Sequence, residues 1–316
     1  MTTQALDSAP PRTLAGPRPR RRVSPIESGD AKAGWSFLAP FGVFYLLFLL
    51  GPAVVMLVVS FFNTSTVKPG LGAFAGFGNY AEMFSRADFW EAMWHTVQFT
   101  IYTTPPLVII AFVLAVLTNR IRRGQWFFRL AFFLPFVLPS ATISLIWLFI
   151  FTPGSGLWAL GEQLLGITPG PGVLASPGTA MIGIALATVW WTLGFNFVLY
   201  LAGLQEIPRE LYEAAAVDGA TTWNQIRYIT LPLLARTTTL VLLLQIIASL
   251  KIFDQVYLMT SGGPGTATQV ALGLVTGSAF TDNRVGAASA ASVLLFIVIV
   301  AIAVIRQLTD RTAKEA

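Results

Sequence analysis

The residues able to do chemistry in this chain are few and far apart. There is one histidine, His95, and no cysteine. Thiol nucleophiles, disulfides and cysteine or multi-histidine metal centres are therefore excluded. No G-x-x-x-x-G-K-[ST] phosphate loop occurs, and no G-x-S-x-G or H-E-x-x-H motif, so the chain carries no recognisable ATP site, serine elbow or zinc helix of its own. What remains are polar and aromatic side chains set inside long apolar runs. Trp190, Trp191, Asn196 and Tyr200 share one run; Gln245 and Ser249 share the next, which ends in Lys251 and Asp254. Aromatic faces with amide and hydroxyl groups can meet a solute that presents both apolar and hydrogen-bonding surface. The same side chains also serve as helix–helix hydrogen bonds or packing. Both readings of the six pathway candidates stand at this point.

If the run carrying Gln245 starts near Leu231, Gln245 stands ~21 Å along it and Asp254 ~34 Å. Gln245 is then near the middle of a bilayer, Asp254 at its outer surface. Lys251 and Asp254 lie three residues apart on one helical face. They form either an interfacial ion pair with a snorkelling lysine or part of an outer gate. With Asp254 the one carboxylate near a span, a proton-coupled carrier lacks its usual buried relay.

A second constellation is charged and compact, running from Gln205 to Pro232. Pro208 is suited to the first turn of a helix, and 209–217 are mostly good helix formers. Asp218-Gly219 makes a sharp stop. A second short helix is expected over about 221–229, with Trp223, Ile226 and Ile229 at helical spacing. Ala214, Ala215 and Ala220 let another surface approach closely, and Glu213 and Asp218 can accept hydrogen bonds from arginines. The residues by themselves fit either a docking knob or a solvated loop.

The elements that hold these groups follow from composition. Of 316 residues, 55% are hydrophobic and 11% charged, against about 25% charged in a soluble domain. Mean hydropathy is +0.69. A soluble core of this size cannot hide that much apolar surface. A span needs ~20 apolar residues, and six runs qualify, near 36–61, 96–118, 130–151, 179–203, 232–258 and 286–305. An all-α protein with six transmembrane helices is expected. The run beginning at Ser36 is too long for a signal peptide core. Pro105-Pro106 is a kink candidate.

Placing the N-terminus inside puts sixteen of the Lys and Arg residues in inside segments and three (Lys68, Arg86, Arg284) outside. That bias predicts both termini in the cytoplasm. Residues 1–35 hold six basic residues and little apolar periodicity, and read as a disordered tail. Arg20-Arg21-Arg22 is read as a topology signal rather than a nucleic-acid patch. Residues 307–316 form a C-terminal tail. The loop 63–95 is expected to hold a short interfacial helix around Phe84, Phe89, Trp90 and Trp94.

The spacing Glu213-Ala214-Ala215-x-x-Asp218-Gly219-Ala220, followed by Ile229-x-Leu231-Pro232, resembles the E-A-A loop of binding-protein-dependent type I ABC importer permeases. The segment Lys251–Thr260 followed by Gly262-Gly263-Pro264, and Gly78-Asn79-Tyr80 with Phe89-Trp90, resemble the sugar and glycerol-phosphate branch. The similarity covers about 36–306. Ile226 stands where that loop usually has Phe, and His95 where Asn is common. The resemblance implies a first transmembrane helix at 36–62 and a type I core at 96–306, with a coupling loop at 205–231. It implies no cofactor in this chain and no enzymatic activity, with ATP and magnesium held by partner ATPase subunits. The expected partners are a second homologous permease chain, two ATPase subunits, an extracytoplasmic substrate-binding protein and the lipid of a bacterial cell membrane. The expected cargo is a di- or oligosaccharide, with a glycerol-phosphate compound as the alternative. A self-sufficient secondary carrier is disfavoured by the missing buried charges.

Overall fold

A computed structural model describes residues 28–68, 70–121, 123–168 and 170–315, with side chains described between 35 and 306. The tail expected over 1–35 lies outside the described residues up to residue 27. The expected C-terminal tail is the helical backbone end of the last element. The chain divides into two compact units, Met1–Val54 and Val55–Ala316.

The first unit contains α1, Ser28–Tyr45, and a π-helical turn, Leu46–Leu50, that leads into α2, Gly51–Val59. Trp35–Val59 is apolar over 25 residues, with nearly every side chain exposed. That suits a helix facing hydrocarbon.

The second unit follows with α3, Gly78–Ser85, α4, Ala87–Asn119, α5, Gln125–Val137, α6, Ser140–Ile150, and α7, Leu157–Leu164. Next come α8, Pro177–Gln205, α9, Arg209–Val217, α10, Thr222–Gln225, and α11, Leu231–Leu233. The chain ends in α12, Ala235–Leu250, α13, Asp254–Met259, α14, Ala271–Thr276, and α15, Val285–Glu315. Among the described residues the one strand-like pairing is the isolated bridge of Phe62 with Phe74. The all-α expectation holds.

Four helices are long and apolar enough to cross a membrane, and two bent pairs raise the total to six if each pair is one span. The expected run 130–151 is broken. Leu138 and Pro139 are extended, and α5 and α6 meet at 96°. A residue before proline is pushed out of the helical region, and Leu138 obeys that rule. The expected run 232–258 is also broken. A 64° bend separates Thr222–Leu233 from α12; Pro232 supplies no N–H there, and a π-helical turn, Ile226–Thr230, precedes it. A second break at 251–253 makes α13 a separate helix. The interfacial helix also differs from expectation: Phe89, Trp90 and Trp94 form the first turns of α4, and only α3 is a separate short helix. Pro105 and Pro106 lie within α4 without ending it.

Packing is organised by small residues. Ala111 and Ala115 of α4 lie against Phe197, Tyr200, Leu201 and Leu204 of α8 in one buried cluster. α5 rides directly on α8 at Gly194, where a Cβ would fall 2.1 Å from the Phe132 carbonyl oxygen. At Gly286 a Cβ would fall 2.0 Å from the Phe62 carbonyl oxygen. Asn79 clamps the same corner, donating to the Ser60 and Phe62 carbonyls at 2.9 and 3.0 Å. Tyr80 and Ser60 share a hydroxyl contact of 2.6 Å, so Gly78-Asn79-Tyr80 is a structural fastening.

Gly194 generates a prediction. Gly194→Ala should lower the melting temperature of the solubilised protein, at an overpacking cost of about 1–3 kcal/mol. Gly178→Ala, where a Cβ meets nothing within 4 Å, should leave it unchanged or raise it. Equal melting of the two variants would contradict the close approach.

Candidate functional site: a docking loop and a polar cavity

The loop between α8 and α12 is built from local devices. Pro208 lies just outside α9 as its N-cap, one place before the first-turn position expected for it. Past Val217, Gly219 adopts φ +78°. Its N–H bonds the Ala216 carbonyl at 3.1 Å, and the Ala220 N–H bonds Ala215 at 2.8 Å. That paired return is a Schellman closure, which needs a residue at ease in the left-handed region. Thr221 then caps α10 by accepting from the Asn224 N–H at 3.3 Å. The second helix expected at 221–229 is one turn of α10 followed by the π-helical turn.

Glu213, Ala214, Asp218 and Gly219 are exposed; Ala215 and Ala220 are half-buried. Around them Leu211, Val217 (88% exposed), Trp223 (65%) and Tyr228 (68%) form an unburied apolar rim. Ile226 and Ile229 turn inward. Small residues, two carboxylates and an apolar rim on one projecting corner are what a protein socket recognises.

Tyr212 faces the other way. Its ring joins the buried α4–α8 cluster along with Ile229, and its hydroxyl lies 3.0 Å from the Thr230 hydroxyl. Gln225 Nε2 donates to the Tyr212 carbonyl at 3.5 Å. Tyr212 is the one aromatic among the small and charged residues of 209–217, a contrast that marks it in the sequence.

A second feature is a cavity of about 160 Å³ between α4, α8 and α12. It gathers Trp191, Gln245, Ser249, Lys251 and Asp254 with Thr188 and Thr192. Trp191 is steered by its indole N–H, which donates to the Leu138 carbonyl at 3.1 Å. The break in the α5–α6 pair thus positions a cavity wall. Ser249 donates to Thr100 Oγ1 at 2.9 Å. Asp254 accepts from Ser140 Oγ at 2.8 Å. The ion pair considered for Lys251 and Asp254 is absent: the ion pairs among the described residues are Arg86–Asp88 and Arg284–Glu82. The break after α12 moves Asp254 onto another helix and gives its carboxylate a hydroxyl partner.

The other three pathway candidates lie off the cavity lining. Asn196 is fully buried, donating to Thr192 at 3.0 Å and reaching Gln245 Oε1 at 3.4 Å. Its own Oδ1 is buried without a partner. Tyr200 belongs to the buried α4–α8 cluster, edge-on to Phe112 at 5.7 Å. Trp190 is 41% exposed and contacts Trp147 at 5.9 Å. His95 bonds the Gln269 carbonyl through Nδ1 at 3.1 Å, a fastening of α4 to the loop before α14. Among the described residues no cluster of His, Cys, Asp and Glu could hold a metal. A cavity of this size is below the ~300 Å³ of a usual ligand pocket. It offers one wall of a site.

The Tyr212 contact can be measured. Tyr212→Phe and Thr230→Val should each destabilise the protein by about 1 kcal/mol. In a double-mutant cycle their effects should be less than additive, with a coupling of about 0.5 kcal/mol or more. Strict additivity would remove the hydroxyl contact from the account.

Comparison with known proteins agrees with this architecture. The family described as "Binding-protein-dependent transport system inner membrane component" matches residues 68–314. The sulfoquinovosyl glycerol transport system permease protein SmoG of Agrobacterium fabrum is 35% identical over 86% of this chain and 88% of its own. The trehalose/maltose transport system permease protein MalF of Thermococcus litoralis is 30% identical over 90% of this chain and 95% of its own. The sn-glycerol-3-phosphate transport system permease protein UgpA of Rhizobium meliloti is 32% identical over 80% and 89%. A chain of a bacterial alginate ABC transporter, crystallised with an alginate pentasaccharide-bound periplasmic protein, superposes with a TM-score of 0.80 at 21% identity, covering 92% of this chain and 98% of that one. With its apolar helices and these relatives, the chain belongs to the binding-protein-dependent inner membrane components, the permease chains of ABC importers.

Proposed function

We propose that this chain forms half of the pathway of an ATP-driven importer for a di- or oligosaccharide. A second, similar permease chain would supply the facing wall, which fits a cavity of 160 Å³ that offers only one side of a sugar site. Two ATPase subunits would bind ATP and magnesium, and an extracytoplasmic binding protein would deliver the solute. Six spans with both termini in the cytoplasm follow if each bent pair is one crossing. The positive-inside bias supports that topology.

The observation that carries the proposal is the docking loop. Glu213, Ala214, Asp218 and Gly219 are exposed on one corner while Tyr212 on the same short helix is locked into the spans. In this reading the ATPase grips the exposed corner. ATP-driven closure moves the corner, and the buried side passes that displacement to α4 and α8. The coupling is a bias on a two-state equilibrium, carried by a packed element with two arrangements. Trp191, Gln245 and Ser249 would meet the solute, with Asn196 orienting Gln245 from behind. Lys251 and Asp254 would stand at the outer mouth.

A glycerol-phosphate cargo is the second reading, favoured by one observation: Lys251 lines the cavity without an ion pair, and a phosphate ester wants such a cation.

The absence of native cysteine makes the test clean. In the assembly reconstituted in lipid, Ala214→Cys should cross-link to the ATPase subunit and to no other chain. Gly219→Val forces a β-branched residue toward φ +78°. It should abolish stimulation of ATP hydrolysis by the solute-loaded binding protein. A panel of binding proteins loaded with oligosaccharides or glycerol phosphates would assign the cargo. Full stimulation in Gly219→Val, or no ATPase cross-link from Ala214→Cys, would overturn the docking assignment.

A further inference from the structure

The flank of the docking loop that faces the spans borders a cleft of about 570 Å³. It opens where α4 and α8 end and α9 begins. Asn119 and Arg120 line it from the end of α4, Gln125 from the start of α5, Gln205 from the end of α8, and Arg209 and Tyr212 from α9. A neighbouring recess of 340 Å³ shares Asn119, Arg120 and Tyr212. At about 100° per residue, Arg209 and Tyr212 point to one side of α9, and Leu211, Ala214 and Val217 to another. Glu213, one turn after Arg209, stands where the cleft side meets the docking corner, and Leu211 and Ala214 lie on the far side of the helix.

The charge in this cleft is unmatched. Arg120 and Arg209 are both exposed. Among the described residues neither makes an ion pair, and no carboxylate lines the cleft. Glu206 and Glu210 flank Arg209 in sequence and Glu213 follows it by one helical turn, yet none of the three lies within the 4.0 Å of an ion pair. Behind the wall a third guanidinium waits: Arg129 donates to Gln125 Oε1 at 3.0 Å, and its Nε is buried without a hydrogen-bond partner. Gln125 in turn donates to the Thr118 carbonyl at 3.2 Å, which fixes the amide at the cleft wall. Two guanidinium forks beside amide and phenol donors match the oxygens of a phosphate.

We propose that this cleft binds the phosphate of an anionic phospholipid from the leaflet on the docking-loop side. Two observations select a lipid over a soluble anion. The cleft lies at the ends of α4 and α8, two helices long and apolar enough to cross a membrane, where headgroups would meet them, and the apolar Ile121, Leu204 and Ile207 line it with the arginines. Bridging Arg120 of α4 and Arg209 of α9, the headgroup ties the docking loop to the spans and makes coupling sensitive to lipid charge. Assigning that leaflet to the cytoplasm rests on the proposed function; the anion site itself does not.

The test uses the full chain with whatever subunits co-purify, exchanged into mixtures of phosphatidylglycerol and phosphatidylcholine. Native mass spectrometry then counts retained lipid for the wild type, for Arg120→Gln with Arg209→Gln, and for Arg236→Gln, an exposed arginine outside the cleft. The wild type should prefer phosphatidylglycerol by about tenfold or more. The double variant should lose that preference and Arg236→Gln should keep it. Both altered arginines are exposed, so folding should survive, and unchanged melting curves would verify that. A preference retained in the double variant overturns the site. A wild type with no lipid preference, stabilised instead by inorganic phosphate, overturns the lipid as occupant in favour of a soluble anion. Failure of the import reading would appear in uptake and would leave the lipid count unchanged.

Discussion

The structure hangs on one apolar cluster that does not stop where the spans stop. Ala111 and Ala115 allow α4 to lie close against Phe197, Tyr200, Leu201 and Leu204 of α8. The same cluster continues through Ile207 and Leu234 and takes in Tyr212 and Ile229 of the docking loop. A close-packed interior transmits strain because it has no slack to absorb it. The loop is thus an extension of the α4–α8 pair rather than an appendage. Its exposed corner can be small and polar because its stability comes from the other side of the helix.

The polar cavity depends on the same arrangement further along the pair, away from the loop between α8 and α12. Trp191 reaches the cavity because the extended Leu138 offers it a carbonyl. Asp254 reaches it because α12 ends at Leu250 and a new helix starts three residues after Lys251. Hydroxyl and amide contacts such as Ser249 to Thr100 and Asn196 to Gln245 pair part of the buried polar set, while Asn196 Oδ1 is left without a partner. Such groups are expensive in an apolar medium when left alone. The cavity, about 160 Å³, is smaller than a usual ligand pocket.

Much of this was readable from residues whose signals are local. The limits of α9 follow from Pro208 and Gly219, each of which restricts or frees its own backbone. The fold class follows from apolar length. The bends were not readable, because an apolar run carries no mark of direction: Pro139 and Pro232 sit within runs that membrane helices usually tolerate. The cavity membership of Trp191, Gln245 and Ser249 was legible in residue type, yet Trp190 and Tyr200 share those types and lie elsewhere, and Lys251 and Asp254, expected apart from them at a span's end, line the same cavity. Which face of a helix looks inward is a tertiary fact. Tyr212 and the arginine cleft escaped notice for the same reason, since their meaning comes from elements far apart in sequence.

In the proposed import cycle Tyr212 carries motion from a docked ATPase to the spans. The direct measurement is solute imported per ATP hydrolysed, in vesicles holding the whole assembly, for wild type and Tyr212→Ala. Tyr212→Ala should still assemble with the ATPase and hydrolyse ATP while the ratio falls several-fold. An unchanged ratio would contradict that role, because the docking loop would then be moving the spans through some other contact.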